Sequence, residues 1–313
     1  MDFFFDMVFL TDFMASSLRL AVPIAFAALA GVIAERSGVY NVGLEGMILA
    51  GAFGAATGAY LSGIASVGLV FGLLLGGLGG LILSILTVSL RVNQLVAGIA
   101  INLFFAGLTA FLARQIFGAD MGQTSVAGYE PIAIPWLSSL PIIGKSFFNQ
   151  DPIVYGLYLL VPFIVWFFYK TQLGLNLRAT GENPRAADSA GVAVFSMRYM
   201  AVTISGMLAA VGGCHLVLSQ IHLFTEDMSA GKGYIALAAI ILGRWNPLLA
   251  VVAALFFGLC DAAQLRLQFE HPDVPYQIFL ILPYLVSILA LIGLVGAVRA
   301  PEALGKPYDR ESR

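Results

Sequence analysis

TGENPRAADSAG, residues Thr180–Gly191, is a short polar stretch set between the apolar runs Ile153–Tyr169 and Met200–Leu218. Asn183 is a strong N-cap residue, and Pro184 falls at the first helical position, where its missing N–H costs nothing. Gly191 supplies the left-handed C′ position that closes many helices. The stretch predicts a two-turn capped helix outside the bilayer, between two membrane spans. A chain with almost no other soluble material has little reason to keep such a helix unless something docks on it. A cytoplasmic motor subunit is the partner it suggests.

Composition sets the class around that stretch. Of 313 residues, 59% are hydrophobic and 11% charged, whereas a soluble domain carries about 25% charged residues. The 34 glycines suit closely packed membrane helices. A net charge of -2 carries no information about partners when the charges sit at span ends, and no nucleic-acid partner is expected. Cys214 and Cys260 both lie inside apolar runs, which argues against a structural disulfide, and neither has metal-site spacing. The N-terminus MDFFFDMVFLTDF is acidic and lacks the basic region of a cleavable signal. The expectation is an all-α polytopic membrane protein.

Spans need about 20 apolar residues each. Candidates are Met14–Ile33, Val42–Leu61, Ser66–Leu90, Leu95–Phe117, Ile153–Tyr169, Met200–Gln220, Tyr234–Leu242, Pro247–Leu267 and Tyr276–Val298. That makes about nine transmembrane helices including broken or half-spans; Tyr234–Leu242 is too short to cross alone. Lys170, Arg178, Arg185 and Arg198 follow the fifth span, and Arg299, Lys306, Arg310 and Arg313 lie in the tail. Positive loops stay inside, so both segments are assigned to the cytoplasm, with Arg36, Arg91 and Arg244. The acidic N-terminus then lies outside and the C-terminus inside. Residues 1–300 form one transmembrane domain, and residues 301–313 a cytoplasmic tail.

Polar residues inside the spans are the candidates for function, because ionisable groups in a membrane tend to face a cavity or a partner. In Gly31–Gly54, a Ser-Gly pair at 37–38 and the residues Glu35, Arg36, Asn41 and Glu45 interrupt two apolar runs. Asn41 and Glu45 are four apart and would share a helix face. They border a translocation path, or they form a structural cap with an ion pair to Arg36. Asn102 is either path-lining or interhelical glue. Asp261 and Gln264 share a face of the eighth span. His215 and His222 lack a third ligand, so a hydrogen-bonded membrane histidine is favoured over a metal site. Gly68, Gly72, Gly76 and Gly80 make a small-xxx-small packing face. The loop Ala119–Asp151 is placed on the outer membrane surface with anchors Tyr129 and Trp136, and Ile221–Gly233 as a short outer gate helix.

Enzymatic motifs are lacking. IGKS at Ile143–Ser146 resembles the end of a phosphate loop, but Ser139 occupies the position of its first glycine. Energy must come from a partner or an ion gradient.

Four segments carry a family resemblance: GVYNVGLEGMILAGAFGA at 38–55, NQLVAGIAINLF at 93–104, GLNLRATGENPRAADSAGV at 174–192 and GKGYIALAAIILGRWNPLLAVVAALFFG at 231–258. Together they resemble permease subunits of ABC importers, in the branch with ribose, branched-chain amino acid and nucleoside permeases. The short length and the run from Ser37 to Met47 are similar to the smaller nucleoside-type, simple-sugar-labelled permease. The resemblance implies a type II-like importer permease fold of about ten helices less the first. It also implies that Gly231–Asn246 is the second-half counterpart of the break at Asn41–Glu45. By the same resemblance, Glu182, Asn183, Pro184, Arg185, Ala186, Ala187, Asp188 and Gly191 form the coupling helix that seats in an ATPase subunit. The expected partners are a longer paralogous permease, ABC ATPase subunits and an external solute-binding protein. The chain itself would bind no cofactor, ATP and Mg²⁺ being used by the ATPase. The path candidates are Asn41, Glu45, Asn102, Phe105, Asp261 and Gln264, with Phe104 and Phe105 available to stack on a neutral solute. The rival from another class is an ion-gradient-driven secondary transporter, which explains intramembrane carboxylates equally well but not the capped helix or the four motifs.

Overall fold

Apolar helices without a polar face must bury against each other or meet lipid, and this chain does both. The structure is a computed structural model that describes residues 7–118, 124–141, 143–270, 274–281, 285, 288–289 and 299–309. Its long helices are α1 (Met7–Arg36), α2 (Leu44–Ser62), α3 (Ala65–Ser84), α4 (Gln94–Phe117), α6 (Pro152–Lys170), α9 (Val194–His215) and α11 (Pro247–Glu270). Seven helices among the described residues are long and apolar enough to cross a membrane. Shorter helices are α5 (Ile143–Phe148), α7 (Gln172–Glu182), α8 (Pro184–Ser189), α10 (Lys232–Leu242) and α12 (Tyr276–Leu280). Most of the expected ninth span, Tyr276–Val298, lies outside the described residues.

The helices sort into two layers. The most apolar windows of α1, α2 and α9 are 89%, 83% and 72% buried, while those of α3, α4, α6 and α11 are less than half buried. The inner three therefore form the core, and the outer four present large apolar side chains such as Leu74, Leu103, Leu159 and Phe163. Such exposure is costly in water and costs nothing against lipid tails.

Glycine sets the distance between layers. Gly68 lies against the Ala55 backbone and Gly72 against Gly51, whereas Gly76 and Gly80 lie against Gly206 and Val202 of α9. The four-residue repeat is thus one continuous seam that changes partner half-way along α3. Gly213 of α9 closes similarly on Ile48 of α2.

Pro23 interrupts α1, leaving the Arg19 carbonyl without its helical donor. Gln220 Nε2 reaches that carbonyl at 2.8 Å, and His215 Nε2 lies 3.3 Å away. His215 also sits 3.5 Å from Asp151, the residue whose carboxylate caps α6. His215 is therefore held by backbone and carboxylate, and His222 stands apart from it against Gly128.

The two long loops fold back on this end of the bundle. A two-residue antiparallel pair, β1 (Ile132–Ala133) with β2 (Asn149–Gln150), brackets α5. Tyr129 donates its backbone N–H to Leu218 at 2.6 Å and its hydroxyl lies 3.2 Å from Ser66 Oγ, so it is tied to protein, while Trp136 is 88% exposed. The segment Ile221–Gly233 is built of turns before α10 starts, not of the expected gate helix. His222, Asp227 and Ala230 all have positive φ, which breaks any helix there. Glu226 instead takes a two-pronged bond from Arg114, at 2.7 and 3.1 Å, and that bond holds its carboxyl below the ordinary range.

The seam makes a clean prediction. A Cβ at Gly76 would meet the Gly206 carbonyl and Ala210, whereas one at Gly107 meets nothing. Gly76→Ala is expected to destabilise the protein by about 1–3 kcal/mol through overpacking, read as a lower unfolding temperature in detergent. Gly107→Ala is expected to leave it unchanged or slightly raised.

Candidate functional site

The sequence breaks its helices at two places, and the structure brings the two breaks together. After Arg36 the chain turns through Ser37–Gly38, with Gly38 at φ 92°, and runs without helix until Leu44. Asn41 closes this segment on itself: its Oδ1 accepts from Gly43 N at 3.1 Å and its Nδ2 donates to Ser205 Oγ at 2.9 Å. The second break ends at Gly231, and α10 runs from there for 11 residues. At 1.5 Å per residue that is about 16 Å, half of a membrane core.

Two side chains join these breaks. Glu45 accepts from Gly231 N at 2.8 Å and from Gly233 N at 2.6 Å, one bond to each carboxylate oxygen. A carboxylate at a helix N-terminus satisfies orphan donors and meets the positive end of the dipole. Asn102 accepts from Gly46 N at 2.8 Å and donates to Val42 O at 2.9 Å and to Tyr234 Oη at 3.1 Å. Gly46 and Gly233 permit the approach, since a Cβ on either would strike Asn102 or Glu45.

Several expectations are corrected here. Asn41 precedes α2 and shares no helix face with Glu45, because the chain is still turning at 42–43. Glu45 makes its bonds to α10, and Arg36 pairs with Glu182 at 3.6 Å. Phe105 is 2% exposed and packs on Gly79, which leaves Phe104 and Tyr234, each 50% exposed, as the accessible aromatics. Asp261 lies within electrostatic reach of Lys232, the residue between the two glycines that Glu45 binds. Gln264 is buried one turn further along α11.

In the short capped stretch, Asn183 Oδ1 accepts from Ala186 N at 3.1 Å, Pro184 opens α8, and Gly191 has φ 85°. Glu182 is the last residue of α7 and lies outside the short helix. Ala187 is buried, packed with Val194 and Tyr308, so it faces the protein and not a partner. The outward residues of α8 are Arg185, Ala186 and Ser189.

Sequence reasoning missed the partners that complete these clusters: Tyr234, Ser205, Trp245 and Arg198. Trp245 donates its indole N–H to Glu35, and its carbonyl accepts from Arg36 Nε at 2.9 Å. Arg198 is 1% exposed and donates to Ser37 O at 3.2 Å. Each is distant in sequence from its partner; Tyr234 and Trp245 both fall in the quoted segment 231–258, but nothing local in it says what they meet.

Residues 13–291 match the family described as branched-chain amino acid transport system / permease component. The chain belongs to that family. It is 38% identical to the guanosine ABC transporter permease protein NupQ of Bacillus subtilis, over 95% of this chain and 96% of that one. It is 34% identical to the nucleoside ABC transporter permease protein NupC of Lactococcus lactis, over 94% and 95%. A Haloferax volcanii protein provisionally named as a glucose ABC transporter permease is 36% identical, over 97% and 99%. The chain is a membrane-spanning permease subunit of an ABC importer, a transport subunit of the cell membrane.

The cluster around the breaks predicts a graded response in this permease. Glu45→Ala strips Gly231 and Gly233 of their acceptor and is expected to cost about 1–3 kcal/mol for each donor left unsatisfied. Glu45→Gln keeps one good acceptor and is expected to lose less. Thermal unfolding of the purified parent and the two variants orders them; a Glu45→Ala protein as stable as the parent would show that the cap contributes nothing.

Proposed function

We propose that this permease imports a nucleoside-class solute by alternating access, driven by ABC ATPase subunits that engage α8. The observation that carries the ATPase contact is a six-residue helix capped at both ends, with Arg185, Ala186 and Ser189 turned outward. ATP and Mg²⁺ belong to the ATPase subunits. A second, paralogous permease and an external solute-binding protein complete the assembly implied by the sequence motifs. The orientation that fits is an outer N-terminus and a cytoplasmic C-terminus in a bacterial cell membrane. Arg36, Arg91, Arg178, Arg198 and the tail gather at the end of the bundle that carries α8, as positive-inside bias requires.

The nucleoside class is supported by the names of two of the three relatives and by the chemistry beside the breaks. A nucleoside offers an aromatic base and several hydroxyls, so it needs stacking surface with hydrogen-bonding groups and little net charge. Tyr234 offers a half-exposed ring whose hydroxyl is fixed by Asn102, and Phe104 stands on the same helix as Asn102. Glu45 and Asp261 would border this path with Lys232 between them. Asn41, Phe105 and Gln264 support it from behind as packing residues. The glucose-type relative makes a simple sugar the second reading.

Uptake of labelled guanosine into cells carrying the whole transport locus tests the proposal. Uptake is expected to need a hydrolysis-competent ATPase and to be blocked by unlabelled nucleosides but not by glucose or branched-chain amino acids. Block by glucose alone would move the substrate class to sugars, and uptake indifferent to the ATPase would discard the mechanism. Arg185→Glu and Ala186→Trp are each expected to lower uptake about tenfold or more, about 1.4 kcal/mol of coupling, with the permease still folded.

A further inference from the structure

The described end of the chain does not trail away from the bundle. After Pro301 it makes a turn, with Leu304 N bonded to Pro301 O at 3.0 Å and Lys306 N to Ala303 O at 3.1 Å. Ala303 N donates to Gly181 O at 2.9 Å, at the end of α7. Arg198 Nη1 donates to Lys306 O at 3.2 Å, from α9. The Tyr308 ring lies 5.5 Å from Phe195 and packs on Ala187 of α8. Asp309 accepts two bonds from Arg91, at 2.8 and 3.1 Å, in the turn between α3 and α4. The segment expected to be a separate tail is thus fixed to four elements.

Held in this way, it becomes the second wall of a groove of about 320 Å³ beside α8. Asn183, Pro184 and Arg185 form one wall, and Glu302, Lys306 and Tyr308 the other. Arg185 and Lys306 share its lining with Glu182, Glu302 and Asp309, and Glu182 and Asp309 already carry partners of their own in Arg36 and Arg91. Lys306 is 4.0 Å from Glu302, so the groove does not gather the cluster of basic residues that an anionic lipid headgroup calls for. A mixed-charge protein surface suits it, since alternating charges confer register and partner choice.

We propose that Pro301–Asp309 is the second half of the ATPase dock, so that the ATPase subunit enters the groove between this segment and α8. The inference rests on α8 being the ATPase contact. It assigns Glu302 and Lys306 to partner recognition, and Asp309 and Arg91 to holding the wall in place.

The test uses the whole assembly, purified through a tag on this chain, with ATPase retention measured across a salt series. Glu302 and Lys306 side chains are 82% and 68% exposed and only 4.0 Å apart, so reversing either leaves the fold intact, checked by an unchanged unfolding temperature. Glu302→Lys and Lys306→Glu are each expected to weaken ATPase retention about tenfold, about 1.4 kcal/mol. The double swap is expected not to restore retention, because the partner's charges are fixed. Full restoration by the swap would mean that the pair acts only within the segment, and would overturn the proposal. Loss of retention in Arg185→Glu with both tail variants unaffected would also overturn it while leaving α8 as the contact. Retention in all three would remove the α8 reading itself. A tail reversal that changes self-association of the permease but not ATPase retention would give the groove to a second copy instead.

Discussion

A backbone amide inside a membrane has no water to fall back on, and the architecture of this permease follows from that constraint. Breaking a helix in the hydrocarbon region exposes donors and acceptors that cost several kcal/mol each if left alone. The chain breaks two, before α2 and before α10, and answers with side chains from elsewhere. Glu45 takes two of the donors at Gly231 and Gly233, and Asn102 takes one at Gly46 and supplies one to Val42. The same two residues that repair the breaks also bind them to each other. Neither break can be rearranged without finding new partners for the other.

Repair at such close quarters requires small residues. Gly46 and Gly233 admit the polar side chains, and the glycine seam along α3 brings α2 and α9 near enough to make one core. A larger side chain at any of these points would meet backbone, which has no rotamer to retreat into. Packing and polar satisfaction are therefore one design here, because the hydrogen bonds are reachable only while the helices stay at glycine distance.

Much of this was legible in the sequence. The capped helix at Asn183–Gly191, the seam at Gly68–Gly80, the half-span at Tyr234–Leu242 and the polar interruption at Ser37–Glu45 are all local patterns, and local chemistry determined them. The failures share a cause as well. Placing Asn41 and Glu45 on one face assumed that helix begins before Asn41, whereas the Asx turn at Asn41 delays it. Assigning Phe105 to the path and Ala187 to the docking face required knowing which side of a helix another element covers. Tyr308, which buries Ala187, lies more than a hundred residues later in the chain. Spacing says which residues share a face, and tertiary contacts alone say what that face meets.

A short stretch of chain links α8 to the polar cluster. α7 leads into α8, and its end sits on the turn after α1: Glu182 on Arg36, Gly181 on the Arg36 backbone, and Thr180 Oγ1 3.4 Å from Ser37 O. That turn is the entrance to the first break. The end of α10 arrives at the same place, where Trp245 meets Glu35 and Arg36 with Arg244 and Trp245 both at positive φ. Arg198 adds α9 and the C-terminal segment through Ser37 and Lys306. Arg36–Gly38 is thus a single knot touched by the element leading into α8, by both broken segments and by the tail. Two arms leave this knot, one through Asn41 to α2 and one back along α10. The arms meet again at Glu45, and a closed loop of this kind cannot move at one corner alone. The physical consequence is that the two breaks, each costly for stability when unsatisfied, share their hydrogen-bond partners and are stable only together.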